Sequence, residues 1–186
     1  YITCIKGDFS YLGKSDLIIS LGWQSIALKA ASAFNKPLIF YSYNSYPYDD
    51  YIFSLNQEKK SLSLLDMERI FSGLDVVLVN LQYGDVEDEI REFKEATGID
   101  VVQCASVDNR EDLDGLAALI EVCDLVVSIT NVTVHLAGAL AKKTWVMLSY
   151  VPNFWWLLDR PDSIWYPSLS LYRQPTLNDW DSVYAV

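Results

Sequence analysis

Leu125-Val126-Val127-Ser128-Ile129, followed by Thr130-Asn131-Val132-Thr133-Val134-His135-Leu136-Ala137-Gly138-Ala139, is the stretch that decides the fold. Its first five residues form an apolar, β-branched run without regular polar alternation, which predicts a strand buried on both faces. Thr130 and Asn131 are residue types that cap helices. A helix is expected over residues 132–141, where Ala137, Gly138, Ala139 and Ala141 are small. A second apolar run, Thr144–Leu148, follows it.

The same alternation continues outward. Residues 75–81 read as a buried strand ending in Gln82-Tyr83-Gly84. Asp85 then opens a helix with Val86, Ile90 and Phe93 at helical spacing up to Gly98. Residues 101–104 predict a strand, and residues 112–122 a helix presenting Leu113, Leu116, Leu119 and Ile120. Further upstream, residues 16–20 and 38–41 read as strands around a helix at 24–34. Residues 42–60 read as a linker or mobile loop, and Ser63 caps a helix over 64–71 that stops at Gly73. Strands and helices in this order predict an α/β, Rossmann-like doubly wound parallel sheet with ligands beyond the carboxyl ends of its strands.

Residues 16–32 can be laid over 124–140 with five identities. Two explanations stay open: two related Rossmann-like halves, or the common look of any β-turn-α unit. Under the first, residues 1–60 are the tail of a preceding unit plus a linker, and 61–186 form the domain proper.

Composition narrows the function. The chain of 186 residues is 51% hydrophobic and carries 14 Lys+Arg against 25 Asp+Glu, a net charge of −11. So acidic a surface repels a polyphosphate backbone, which argues against a nucleic-acid partner. A single anionic ligand remains compatible, because helix N-termini hold anions locally. No apolar run approaches the roughly 20 residues of a membrane span. Cys4, Cys104 and Cys123 with one histidine offer neither a disulfide framework nor a metal cluster, and fit a cytoplasmic setting. The chain opens on Tyr1 rather than Met and reads as part of something longer.

Three turns are candidates for chemistry. At Thr130-Asn131-Val132-Thr133, just before His135, a helix N-terminus offers amides and a positive dipole end to a diphosphate; the same residues also suit a plain cap. At Gln82-Tyr83-Gly84-Asp85 another strand-to-helix turn faces the same carboxyl edge. At Asp112 and Asp114 carboxylates stand at a helix start, where they satisfy the dipole or accept ribose hydroxyls. Dinucleotide, P-loop, nucleophile-elbow and zincin signatures are missing from the sequence.

Read in order, Leu81-Gln82-Tyr83-Gly84-Asp85, Asp112-Leu113-Asp114-Gly115-Leu116, Cys123-Asp124-Leu125-Val126-Val127-Ser128, Val134-His135-Leu136-Ala137-Gly138 and Thr144-Trp145-Val146-Met147-Leu148 resemble the heptosyltransferase family, glycosyltransferase family 9. The likeness runs to members fused to tetratricopeptide repeats and, more distantly, to O-GlcNAc transferase. The segments Trp155-Trp156-Leu157-Leu158-Asp159-Arg160 and Leu171-Tyr172-Arg173-Gln174-Pro175 extend it towards the C-terminus.

The resemblance implies the C-terminal half of a GT-B fold and metal-independent, inverting sugar transfer without a cofactor, the nucleotide sugar being substrate. It places the donor diphosphate at Thr130, Asn131, Val132 and Thr133, with His135 alongside. Gln82 and Tyr83 fall near the same ligand, and Asp114 near the nucleoside. It assigns the acceptor's base to an N-terminal GT-B domain, so this chain alone is expected to bind donor and transfer nothing; no catalytic residue is assigned. Tetratricopeptide repeats are a further partner in part of that group. One departure is Thr130, where many members carry Asp. The alternatives are a non-catalytic nucleotide-binding or scaffold module of the same fold, and a nucleotide-sugar epimerase.

Overall fold

The computed structural model describes residues 37–42 and 62–185. The strands expected at 16–20, the helix at 24–34 and the internal echo lie outside these residues. In chain order the elements are β1 (Leu38–Ser42), α1 (Glu68–Phe71), β2 (Val77–Asn80), α2 (Glu87–Thr97), β3 (Val101–Val102) and α3 (Leu113–Val122). They continue as β4 (Leu125–Ile129), α4 (Val132–Ala139), β5 (Thr144–Leu148), a 3-10 turn (Phe154–Trp156), β6 (Leu169–Arg173) and α5 (Asp181–Tyr184).

The strands form one six-stranded sheet in the order β3-β2-β1-β4-β5-β6, and every pairing is parallel. This is the doubly wound order, which reverses direction between β1 and β4. All five residues of β4 are buried, as its unbroken apolar run predicts.

Alternate side chains of β4 enter different cores. Val127 and Ile129 pack with Tyr41, Leu78, Phe71, Phe93 and Met147 on one face of the sheet. Val126 packs with Val79, Leu116, Leu119, Ile120 and Ala137 on the other. A third cluster, Val134, Val146, Leu148, Trp156, Leu169 and Leu171, fills the space beneath the 3-10 turn. Burying a Leu, Ile or Phe in such cores contributes about 1.5–3 kcal/mol each.

β1 lies upstream of the boundary expected at residue 60, in the same sheet as the strands that follow it. Ile39 and Tyr41 are buried, and Phe40 pairs with Val79 on one side and Val126 on the other. Residues 38–42 are thus the middle of the sheet and belong with 62–185. The segment between β1 and residue 62 had hidden this in the sequence, because a strand far from its neighbours carries no local signal of its pairing.

Other boundaries moved by small amounts. Strands β2 and β3 are shorter than expected, and α4 stops at Ala139 because Ala141 takes a positive φ of 53°. α1 begins only at Glu68; Ser63 and Asp66 cap each other's amides one turn earlier. Asp85 is not the N-cap of α2, which is Val86, whereas Gly98 closes that helix in the left-handed region. Leu113 stands 51% exposed instead of joining Leu116, Leu119 and Ile120 in the core. β6 forms where the sequence pattern predicts no strand, and its Leu169 and Leu171 are buried. Among the described residues no helix is long and apolar enough to cross a membrane.

Candidate functional site

The carboxyl ends of β1 and β4 carry Ser42 and the turn Thr130-Asn131, and the end of β2 carries Asn80 and Gln82. Adjacent parallel strands bring these ends together at the point where the sheet order reverses.

Their side chains form a polar network. Asn131 Nδ2 donates to Ser42 Oγ at 2.9 Å, and Ser42 Oγ donates to Gln82 Oε1 at 3.1 Å. Ser128 Oγ donates to Asn131 Oδ1 at 3.2 Å, and the same oxygen caps α4 through the Val134 amide at 3.4 Å. Ser42, Gln82 and Ser128 are fully or nearly fully buried. Satisfied buried networks of this kind hold one geometry, because each lost partner strands another polar group.

Gln82 is fixed from two further sides. Its amide N–H donates to Asn80 Oδ1 at 2.9 Å, and its carbonyl accepts from Asn109 Nδ2 at 3.2 Å. The structure therefore brings Gln82 and Asn131 together through Ser42, a residue the sequence placed only at the start of a loop. Tyr83 follows, half-buried. Asp112 caps α3 by accepting from the Gly115 amide at 2.8 Å. A Cβ on Gly115 would come 2.4 Å from that carboxylate, so a larger residue there would make the Asp112 side chain shift. Asp114 is exposed in the first turn of α3.

The turn before α4 separates into two kinds of group. Thr130 Oγ1 accepts the Trp156 indole N–H at 2.8 Å, and Asn131 is engaged as above. Thr133 is buried, whereas Val132 at the first helical position is 51% exposed. Side chains thus shape the turn, and the amides of Val132 and Thr133 begin the first turn of α4.

His135 lies one turn along α4. Its ring stacks on Trp156 at 5.3 Å between centroids and meets Trp155 edge-on, and Nδ1 is 3.3 Å from the Tyr166 hydroxyl. Burial among these rings disfavours the imidazolium and lowers the His135 pKa. Tyr166 lies so close to α4 that a Cβ on Gly138 would come 2.4 Å from its ring. The small residues of α4 thus admit the aromatic layer. In sequence Trp156 and Tyr166 belong to an aromatic C-terminal region that suits packing or stacking on a sugar or base; here both rings lie against His135. Among the described residues no group of three or more His, Cys, Asp or Glu side chains could hold a metal ion.

No family model matches the chain. Over 106 residues it is 37% identical to Protein FlbA of Caulobacter vibrioides, a stretch covering 57% of this chain and 17% of that protein. In structure it is similar to a glycosyl transferase family 9 protein from Veillonella parvula, with a TM-score of 0.53 and 13% identity, over 82% of this chain and 40% of that one. A further likeness is to the E. coli ADP-heptose LPS heptosyltransferase II, with a TM-score of 0.47 and 15% identity, over 88% of this chain and 49% of that one. The chain spans less than half of each of these proteins. The Veillonella likeness establishes the fold: an α/β unit matching part of a family 9 GT-B structure.

Proposed function

We propose that this chain binds the diphosphate of a nucleotide-sugar donor on behalf of a glycosyltransferase, at the first turn of α4. The observation that carries the reading is the position of that turn. It follows β4 directly and stands at the reversal of a doubly wound sheet, where such folds take their ligands.

In this reading the amides of Val132 and Thr133 donate to phosphate oxygens, and the α4 dipole adds about half a positive charge. Thr130 and Asn131 hold the turn in shape through Trp156 and Ser42. His135, neutral and fixed against Trp156, flanks the ligand. Gln82 and Tyr83 border it from β2, and Asp114 reaches towards the nucleoside. Inverting transfer without a metal enters this reading from the sequence resemblance to family 9. Activation of the acceptor falls to a second domain facing the same edge, since transfer needs donor, acceptor and base held together.

A second reading, a non-catalytic nucleotide-binding or scaffold module, is favoured by Thr130, whose hydroxyl is tied to Trp156 where many heptosyltransferases carry Asp. Calorimetric titration of the chain with UDP, GDP and ADP tests the proposal. Saturable binding of one of them supports a donor site. Failure of all three points to a module that has lost it.

A further inference from the structure

Four of the five arginines in this protein form ion pairs. Arg69 pairs with Asp181, Arg91 with Asp88, Arg110 with Glu111 and Arg160 with Asp162. Among the described residues Arg173 is the arginine without an ion pair. It ends β6, opposite Leu148 at the end of β5, and so opens on the ligand edge of the sheet.

Its Nη2 reaches the Trp156 carbonyl at 3.5 Å, while Nη1 is sealed from solvent with no protein acceptor. Two more buried donors without acceptors lie on the same two segments: Trp155 Nε1 and Gln174 Nε2, with Gln174 only 1% exposed. Unsatisfied buried donors are costly; the Arg173 side chain as a whole is half-buried, and its acidic neighbour is Asp159. Arg173 and Thr130 both touch Trp156, one at its carbonyl and the other at its indole nitrogen. Trp156 therefore links the guanidinium to the start of α4.

A helix dipole supplies about half a charge, whereas a nucleoside diphosphate sugar carries about two negative charges. In a chain of net charge −11 the surrounding field opposes such a ligand. We infer that Arg173 is the cationic arm of the donor site, donating from its guanidinium to a diphosphate oxygen held at the first turn of α4. This rests on the reading of α4 as the diphosphate site and deepens it.

The test compares wild type with Arg173→Gln and Arg173→Met, using inorganic pyrophosphate and UDP as probes in calorimetry and thermal unfolding. Gln keeps a donor for the Trp156 carbonyl, so it decides the matter where Met does not fold. The expected result is a loss of affinity of about tenfold or more for both probes, with the unliganded Tm unchanged or raised. Wild-type affinity in R173Q overturns the inference and leaves the α4 reading intact. Failure of both variants to fold makes Arg173 a structural cation and overturns it as well. If neither probe binds the wild type, the α4 reading fails first and this inference with it.

Discussion

The Trp156 indole nitrogen donates to the Thr130 hydroxyl at 2.8 Å, joining residues 26 apart in sequence and tying the turn after β5 to the start of α4. Trp156 is 1% exposed, so its N–H has no recourse to bulk water. Thr130→Val keeps the shape and removes the acceptor. It is expected to lower stability by about 1–3 kcal/mol in urea unfolding, while Thr130→Ser retains most of it. An unchanged midpoint for T130V would show that the bond contributes nothing.

Gly138 and Tyr166 offer a second test. Alanine is the better helix former by about 1 kcal/mol, yet its Cβ would stand 2.4 Å from the Tyr166 ring. Overpacking of this kind costs about 1–3 kcal/mol and outweighs the propensity. Gly138→Ala is therefore expected to destabilise the chain and to move the Tyr166 hydroxyl off His135. In a Tyr166→Ala background, which removes the two closest of the clashing atoms, the same change should cost clearly less, and a double-mutant cycle measures the difference. Equal costs in both backgrounds would place the strain elsewhere.

His135 sets a pH dependence. It is the single histidine of the chain, and burial holds its folded pKa below the ordinary value of about 6.5. Between the two values the unfolded chain binds the extra proton, so stability falls as pH falls from above about 6.5 towards the folded pKa. Wild-type Tm is expected to drop over this interval, and the drop should be smaller in His135→Gln. Parallel Tm profiles for the two proteins would contradict the lowered pKa.

Much of the sheet could be read from the sequence because both-face burial leaves an unbroken apolar run. β4 and β5 match their expected bounds for that reason. β1 was recognisable as a strand, but its place in the middle was not, since pairing partners such as Val79 and Val126 are distant in sequence. β6 alternates buried and half-buried residues and sits among aromatic residues that mask the pattern.

The candidate site followed the same division. Cap-type residues at Thr130, Asn131 and Asp112 announce themselves locally, and Asn131 and Asp112 do cap their helices. What locks them does not. Ser42 bridges Asn131 to Gln82 only because β1 lies between β2 and β4, and Trp156 meets Thr130 only because β5 carries the chain back across the edge. Tertiary contacts of that kind leave no periodic trace.

The most direct test of the proposed diphosphate site is removal of one amide from α4 without disturbing the helix. Val132 occupies the first helical position, where proline is well tolerated, and Asn131 before it is extended at φ −153° and ψ −175°, as a residue preceding proline prefers. Calorimetric titration of Val132→Pro against wild type, with whichever of UDP, GDP or ADP binds, isolates the Val132 N–H. The account predicts an unchanged fold and binding weaker by about 1–3 kcal/mol. Equal affinity in the two proteins would contradict it and move the diphosphate away from α4.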